Sequence, residues 1–129
     1  MSSADKPVGP LGKERRVLPR YQLMPQVDII AEDGHETYWG TLKDLSRTGI
    51  AVSLQQALQS NQKVTVRFRL QSDDGRAVLE ELDTTVAWKS GHDAGLEFVK
   101  PLIPGSSALK QAPLLAAHLE KKKAERSRP

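Results

Sequence analysis

No cysteine occurs among the 129 residues. That excludes disulfides and cysteine-ligated zinc, and it agrees with a cytoplasmic location. Long hydrophobic runs are missing as well. No apolar stretch approaches the roughly 20 residues of a membrane helix, and the opening MSSADKPVGPLGKE has no hydrophobic signal-peptide core. A cytoplasmic protein with no membrane partner is therefore expected. Histidine is scarce: His35, His92 and His118 are scattered and lack the paired spacing of a metal-binding HxxxH. No nucleophile elbow, Walker motif or phosphate-cradling glycine loop is present, and Ser46 has no histidine close by in sequence. The expectation is a protein without catalytic residues, metal or resident cofactor. Aromatic residues make up only 5%, which limits the core, but 38% apolar and 27% charged residues are ordinary for one globular domain.

The net charge of +3 is unevenly spread. Residues 1–20 carry a net +3, residues 21–104 a net −4 and residues 105–129 a net +4. A nucleic-acid binder more often spreads positive charge over a folded face. Basic ends around an acidic body point to a local anion site or to solubilising tails.

Residues 1–12, rich in Ser, Pro and Gly and without periodicity, read as a disordered tail. Pro19 disfavours helix at Leu18, so residues 13–20 read as extended or turning. Alternation begins at Gln26. QVDIIA is a short strand ending at Asp33-Gly34, a hairpin-type turn. TYWGTLKDLS and IAVSL follow on either side of a break at residues 46–49. KVTVRFRL is the clearest strand, with Val64, Val66, Phe68 and Leu70 on one face and Lys63, Thr65, Arg67 and Arg69 on the other. AVLEELDTTVAWKS and DAGLEFV complete the set around Gly91. QQALQSNQ has the look of one helical turn. Six short strands without helical crossovers predict an antiparallel all-β barrel or sandwich. Closure would remove its edges. Beyond Pro104 the chain turns to Ala, Leu, Lys and Glu. This reads as a C-terminal helix capped at Ser106 or Ser107, or opened by Pro113, with Leu115, Ala116 and Leu119 as a narrow apolar stripe.

Two stretches carry the chemistry. In ERRVLPRYQL, Arg15, Arg16 and Arg20 alternate with Val17, Leu18 and Pro19. In DLSRTG, Asp44, Ser46 and Gly49 make a good turn by themselves: Asp44 and Ser46 can bond nearby backbone, and Gly49 can take positive φ. Together, Arg16-x-x-x-Arg20 followed by Asp44-x-Ser46-x-x-Gly49 resembles the PilZ domain, whose signature is RxxxR and [D/N]xSxxG. The resemblance covers about residues 13 to 103. It implies a six-stranded antiparallel β-barrel with a C-terminal α-helix and a flexible N-terminal arm, and it implies a receptor for the bacterial second messenger cyclic di-GMP. The corresponding division is a tail (1–12), a barrel domain with its arginine arm (13–103), and a helix with a basic tail (104–129).

The ligand's chemistry suits these residue types. A guanidinium fork matches phosphate oxygens, or guanine O6 and N7, and also stacks on purines. Arg15, Arg16 and Arg20 therefore fit three tasks on one ligand. Asp44 can accept from guanine N1–H and the exocyclic amine, Ser46 can bond phosphate or base, and Gly49 leaves room for close approach. Arg15 beside Arg16 resembles family members that take up two stacked cyclic di-GMP molecules. Trp88 sits where some members place an aromatic beside a base, and a buried core tryptophan is the other reading. The motif GLEF, Gly95 to Phe98, resembles the family's last strand and reads as structural, as do Trp39 and Gly40. The effect of binding is expected to pass to an unidentified effector protein. Two rivals are a PilZ-fold adaptor that ignores nucleotide and a small RNA or single-stranded DNA barrel. The second would need exposed aromatic platforms, and the alternation of VRFRL puts Phe68 inside.

Overall fold

A computed structural model describes residues 21–32, 34, 36–56 and 58–126, with side chains through Lys121. Strands β1 (Tyr21–Ala31), β2 (Thr37–Leu45), β3 (Gly49–Leu54), β4 (Lys63–Ser72), β5 (Ala77–Ser90) and β6 (Asp93–Phe98) close into an antiparallel barrel in the order β1-β2-β3-β6-β5-β4. Helices α1 (Ala108–Gln111) and α2 (Pro113–Arg126) follow. The six-stranded barrel is the one expected. The expected single helix is divided, because Pro113 has no N–H with which to continue the ladder of α1. The tail 1–12 and the arm 13–20 lie outside the described residues.

Alternation builds the core. Val64, Val66, Phe68 and Leu70 of β4 are all buried, and they share one core cluster with Ile50, Val52 and Leu54 of β3. Phe68 packs edge-on against Phe98 of β6, with ring centroids 6.5 Å apart. Phe68 is thus core, as its position in the strand predicts, and offers no stacking face to solvent. Outside, Arg67 joins Glu81 of β5 at 2.8 Å and Asp28 of β1 at 3.8 Å. Such half-exposed pairs add little stability.

Three local expectations differ from the structure. β1 starts at Tyr21 rather than Gln26. Its pairing with β4 jumps from Leu23↔Leu70 to Val27↔Phe68, so extra residues around Pro25 bulge out of the ladder. A proline cannot donate to a ladder, and a bulge absorbs it. The described residues of the segment 55–62 contain no helical turn. The segment is held instead by Asn61 N–H to Val86 O at 2.8 Å and Val86 N–H to Gln62 O at 2.9 Å, while Leu58 is buried in the core cluster. Asn61 takes a positive φ of 68°, which ends any helical path there. Trp39 is not barrel packing: it is 60% exposed on the outer face of β2. Gly40, the other half of that expectation, is buried, and a Cβ there would come 2.9 Å from Ser53 O.

One buried carboxylate ties the helix to the barrel. Glu80 of β5 is 5% exposed, and its two oxygens accept from Leu114 N–H and Leu115 N–H, each at 2.9 Å. These are free amides at the start of α2, where a negative charge also suits the helix dipole. Ser107 makes no side-chain cap, and Ser106 Oγ accepts from Ala108 N–H at 3.2 Å. With the helix seated in this way, Leu115 and Leu119 are buried in the core cluster. Glu80→Ala would leave both amides without their acceptor. Charge-assisted bonds contribute about 1.5–3 kcal/mol each, so the variant should lose about 3 kcal/mol and melt roughly 10 °C lower. A melt within a degree or two of the parent would remove this role.

Candidate functional site

Two bulges build the outer face of the barrel. The β2–β3 ladder passes from Leu42↔Val52 to Asp44↔Ala51, leaving Lys43 as the extra residue. Without that bulge Asp44 would oppose buried Ile50 and point into the core. With it, Leu45 takes the inward place opposite Ile50 and Asp44 turns outward. The β5–β6 ladder does the same, passing from Val86↔Leu96 to Trp88↔Gly95 around Ala87. Leu82, Thr84 and Val86 are buried, and simple alternation would bury Trp88 next. The bulge reverses its side, and Trp88 is 48% exposed. Of its two readings, the outward one is observed.

The two shifts align one row across four strands: Asp44, Ala51, Gly95, Trp88. The middle members are small, so a carboxylate and an indole stand at the two ends of a trough. The indole leans over Gly95, where a Cβ would fall 2.1 Å from Trp88 Nε1. Any larger residue would push the ring away. The resulting hollow has a volume of about 320 Å³ and is also lined by Ser46, Thr48, Gly49 and Glu97. None of its lining residues is a lysine or arginine.

The turn between β2 and β3 forms one end of the hollow. Ser46 N–H donates to Gly49 O at 2.9 Å. The Ser46 hydroxyl lies 3.2 Å from Gly49 O and accepts from Thr48 N–H, also at 3.2 Å. Ser46 therefore closes the turn as well as facing the hollow. Gly49 does not use positive φ; it is needed for close approach, since a Cβ there would lie 2.4 Å from Leu96 O. Arg47 points away and fastens the turn from behind. Its Nη1 donates to Leu102 O at 2.7 Å, and its Nη2 pairs with Glu120 of α2. Leu102 N–H and Phe98 N–H donate in turn to Arg47 O and Thr48 O, both at 2.8 Å. A turn so held has its geometry fixed by the surrounding structure.

The sequence-predicted residues Asp44, Ser46, Gly49 and Trp88 thus surround one hollow. Arg15, Arg16 and Arg20 lie outside the described residues. Arg20 directly precedes Tyr21, the first residue of β1. Near that end of β1 another hollow of about 240 Å³ is lined by Leu23, Met24, Pro25, Leu42 and Leu45 together with Lys43, Asp44 and His118. Sequence reasoning missed Ala51, Gly95 and Glu97. The GLEF motif is part of β6, but three of its members, Gly95, Leu96 and Glu97, also line the hollow. Among the described residues no group of His, Cys, Asp or Glu could hold a metal ion, and no helix is long and apolar enough to cross a membrane.

A sequence profile of the PilZ domain matches residues 14–112, well over half of the chain and inclusive of the arginine segment. The chain belongs to the PilZ domain family. Members are binding and adaptor domains for cyclic di-GMP. No curated protein is close enough in sequence to count as a relative. Among solved structures, the fold is similar to the PilZ domain of CeSA from a cellulose-synthesizing bacterium. The TM-score is 0.51 at 18% identity, over 79% of this chain and 98% of that one. At that identity the likeness concerns the PilZ fold alone.

Proposed function

We propose that this PilZ domain is a cytoplasmic, non-enzymatic receptor for cyclic di-GMP that acts through a separate effector protein. The observation that carries the reading is the row Asp44–Ala51–Gly95–Trp88, set beside the Ser46–Gly49 turn. A base stacks on the exposed indole, and Asp44 accepts from N1–H and the amine of one of the ligand's guanines. Ser46 and Gly49 border the sugar-phosphate ring. The hollow is at the low end of ligand-pocket volumes, so a dinucleotide would stand proud of it and need a cover. In this proposal the cover is residues 13–20, with Arg15, Arg16 and Arg20 on phosphates and purine faces.

Seating the arm has a cost. Ordering eight residues takes on the order of 8–16 kcal/mol of backbone entropy if the arm is free beforehand. Arginine contacts barely offset that. Val17 and Leu18 must bury apolar surface, and the hollow at Leu23, Met24 and Leu42 is a suitable receiver beside the arm's root. Pro19 lowers the starting entropy. Two stacked ligands present four phosphates, so two cyclic di-GMP per chain are expected.

Calorimetry with cyclic di-GMP reads affinity and stoichiometry together. Micromolar or tighter binding at two per chain is the expected result, and no heat of binding would sink the proposal. Amide relaxation should show residues 13–20 rigid only with ligand. An arm of equal rigidity in both states would remove the switch even if nucleotide binds.

A further inference from the structure

The hollow holds a second carboxylate that the family motif does not include. Glu97 lies on β6, two residues beyond Gly95 and on the same face, with Gly49 and Thr85 as its cross-strand neighbours. It is exposed, lines the hollow, and its side chain makes no hydrogen bond or ion pair among the described residues. A carboxylate facing a site for a dianionic ligand repels the phosphates. It is unfavourable there unless it meets donors on the ligand or the arm.

Resting on the reading above, we propose that Glu97 reads the guanine edge of the base stacked on Trp88 and so sets specificity together with Asp44. The indole lies over Gly95, so a base stacked on it is centred near that residue. Glu97 stands one same-face step along the strand, about 7 Å from Gly95, whereas Asp44 is two strand spacings away, about 10 Å. Glu97 is the nearer acceptor for that base. Gly49 beside it has no side chain to obstruct it. Guanine offers N1–H and the N2 amine side by side, which a carboxylate accepts as a pair; adenine offers no N1–H. A two-fold symmetric ligand has two guanines, and the hollow has two carboxylates.

The test compares Glu97→Gln and parent with cyclic di-GMP and cyclic di-IMP, whose hypoxanthine keeps N1–H but lacks the amine. A glutamine can accept one N–H but turns its own amide donor toward the second. Glu97→Gln should weaken cyclic di-GMP about tenfold or more and cyclic di-IMP by no more than two- to threefold, so that discrimination collapses. Its unfolding midpoint should match the parent. Equal weakening of both ligands would overturn the inference, placing Glu97 against an arm arginine instead. Unchanged affinities would also overturn it. Either failure leaves cyclic di-GMP binding by the parent intact, whereas a parent that binds neither ligand overturns both readings.

Discussion

Replacing Arg16 or Arg20 by alanine is expected to weaken cyclic di-GMP binding a hundredfold or more while leaving the unfolding midpoint nearly unchanged. The charge balance of the hollow sets the size of this effect. Its lining carries Asp44 and Glu97 and no positive side chain. Lys43, the bulged residue beside Asp44, is paired with Asp93 at 3.0 Å. In the proposed complex the phosphates therefore draw their counter-charge from the arm. Losing a bidentate guanidinium removes two charge-assisted bonds. At about 1.5 kcal/mol each, the low end of their range, that amounts to about 3 kcal/mol, or some two orders of magnitude in affinity. Stability should hold because the barrel closes and fills its core with residues from Val27 to Leu119. Calorimetry and thermal melts on the two variants check both halves. Parent-like binding by both would remove the arginines from the site, and a large fall in melting temperature would make them structural.

Much of the barrel is readable by counting in twos. In β4 the alternate residues Val64, Val66, Phe68 and Leu70 are apolar and buried, and the sequence shows it directly. The same count fails where the site lies. In β5 it runs Leu82, Thr84, Val86 and then assigns Trp88 inward, because one unpaired residue at Ala87 leaves no mark in the sequence. Lys43 hides the outward turn of Asp44 in the same way. The motif spacing singled out Asp44 as a candidate without saying which way it points. Bulges are backbone events, fixed by what lies across the ladder, and Ala51 and Gly95 become floor only when two other strands arrive.

Other misses have different causes. Trp39 alternates with Thr37 and Thr41, both exposed, while Tyr38, Gly40 and Leu42 point inward. Its outward position was available from the pattern. Glu80 is the reverse case. The count places it inside, but its partners Leu114 and Leu115 are more than thirty residues away, so nothing local explains an inward carboxylate. Gly49 carried two readings, positive φ in the turn and room for close approach. It does not take positive φ, and the structure instead requires empty space against β6.

That difference yields the second large effect. Gly49→Ala should cost about 2–4 kcal/mol, within the range for strained backbone sites, and lower the melting temperature by roughly 10 °C. The added Cβ would lie 2.4 Å from Leu96 O, 3.2 Å from Glu97 Cα and 3.3 Å from Leu96 C. All three are backbone atoms of β6, so no side chain can swing away to make room. Relief requires β3 and β6 to part where Gly49 pairs with Glu97. That movement strains the Ser46 N–H to Gly49 O bond and the Phe98 N–H to Thr48 O bond, which together hold the motif turn. Binding should weaken along with stability, since Ser46 and Glu97 move with the seam. Gly75→Ala supplies the control. Gly75 has φ of +93° and open space around its missing Cβ, so alanine there meets only the left-handed penalty, about 1 kcal/mol. Thermal melts should rank Gly49→Ala well below Gly75→Ala, and only the first should lose cyclic di-GMP affinity. If the two variants melt together, or if Gly75→Ala is the weaker, conformational freedom rather than close approach is what the motif glycine supplies.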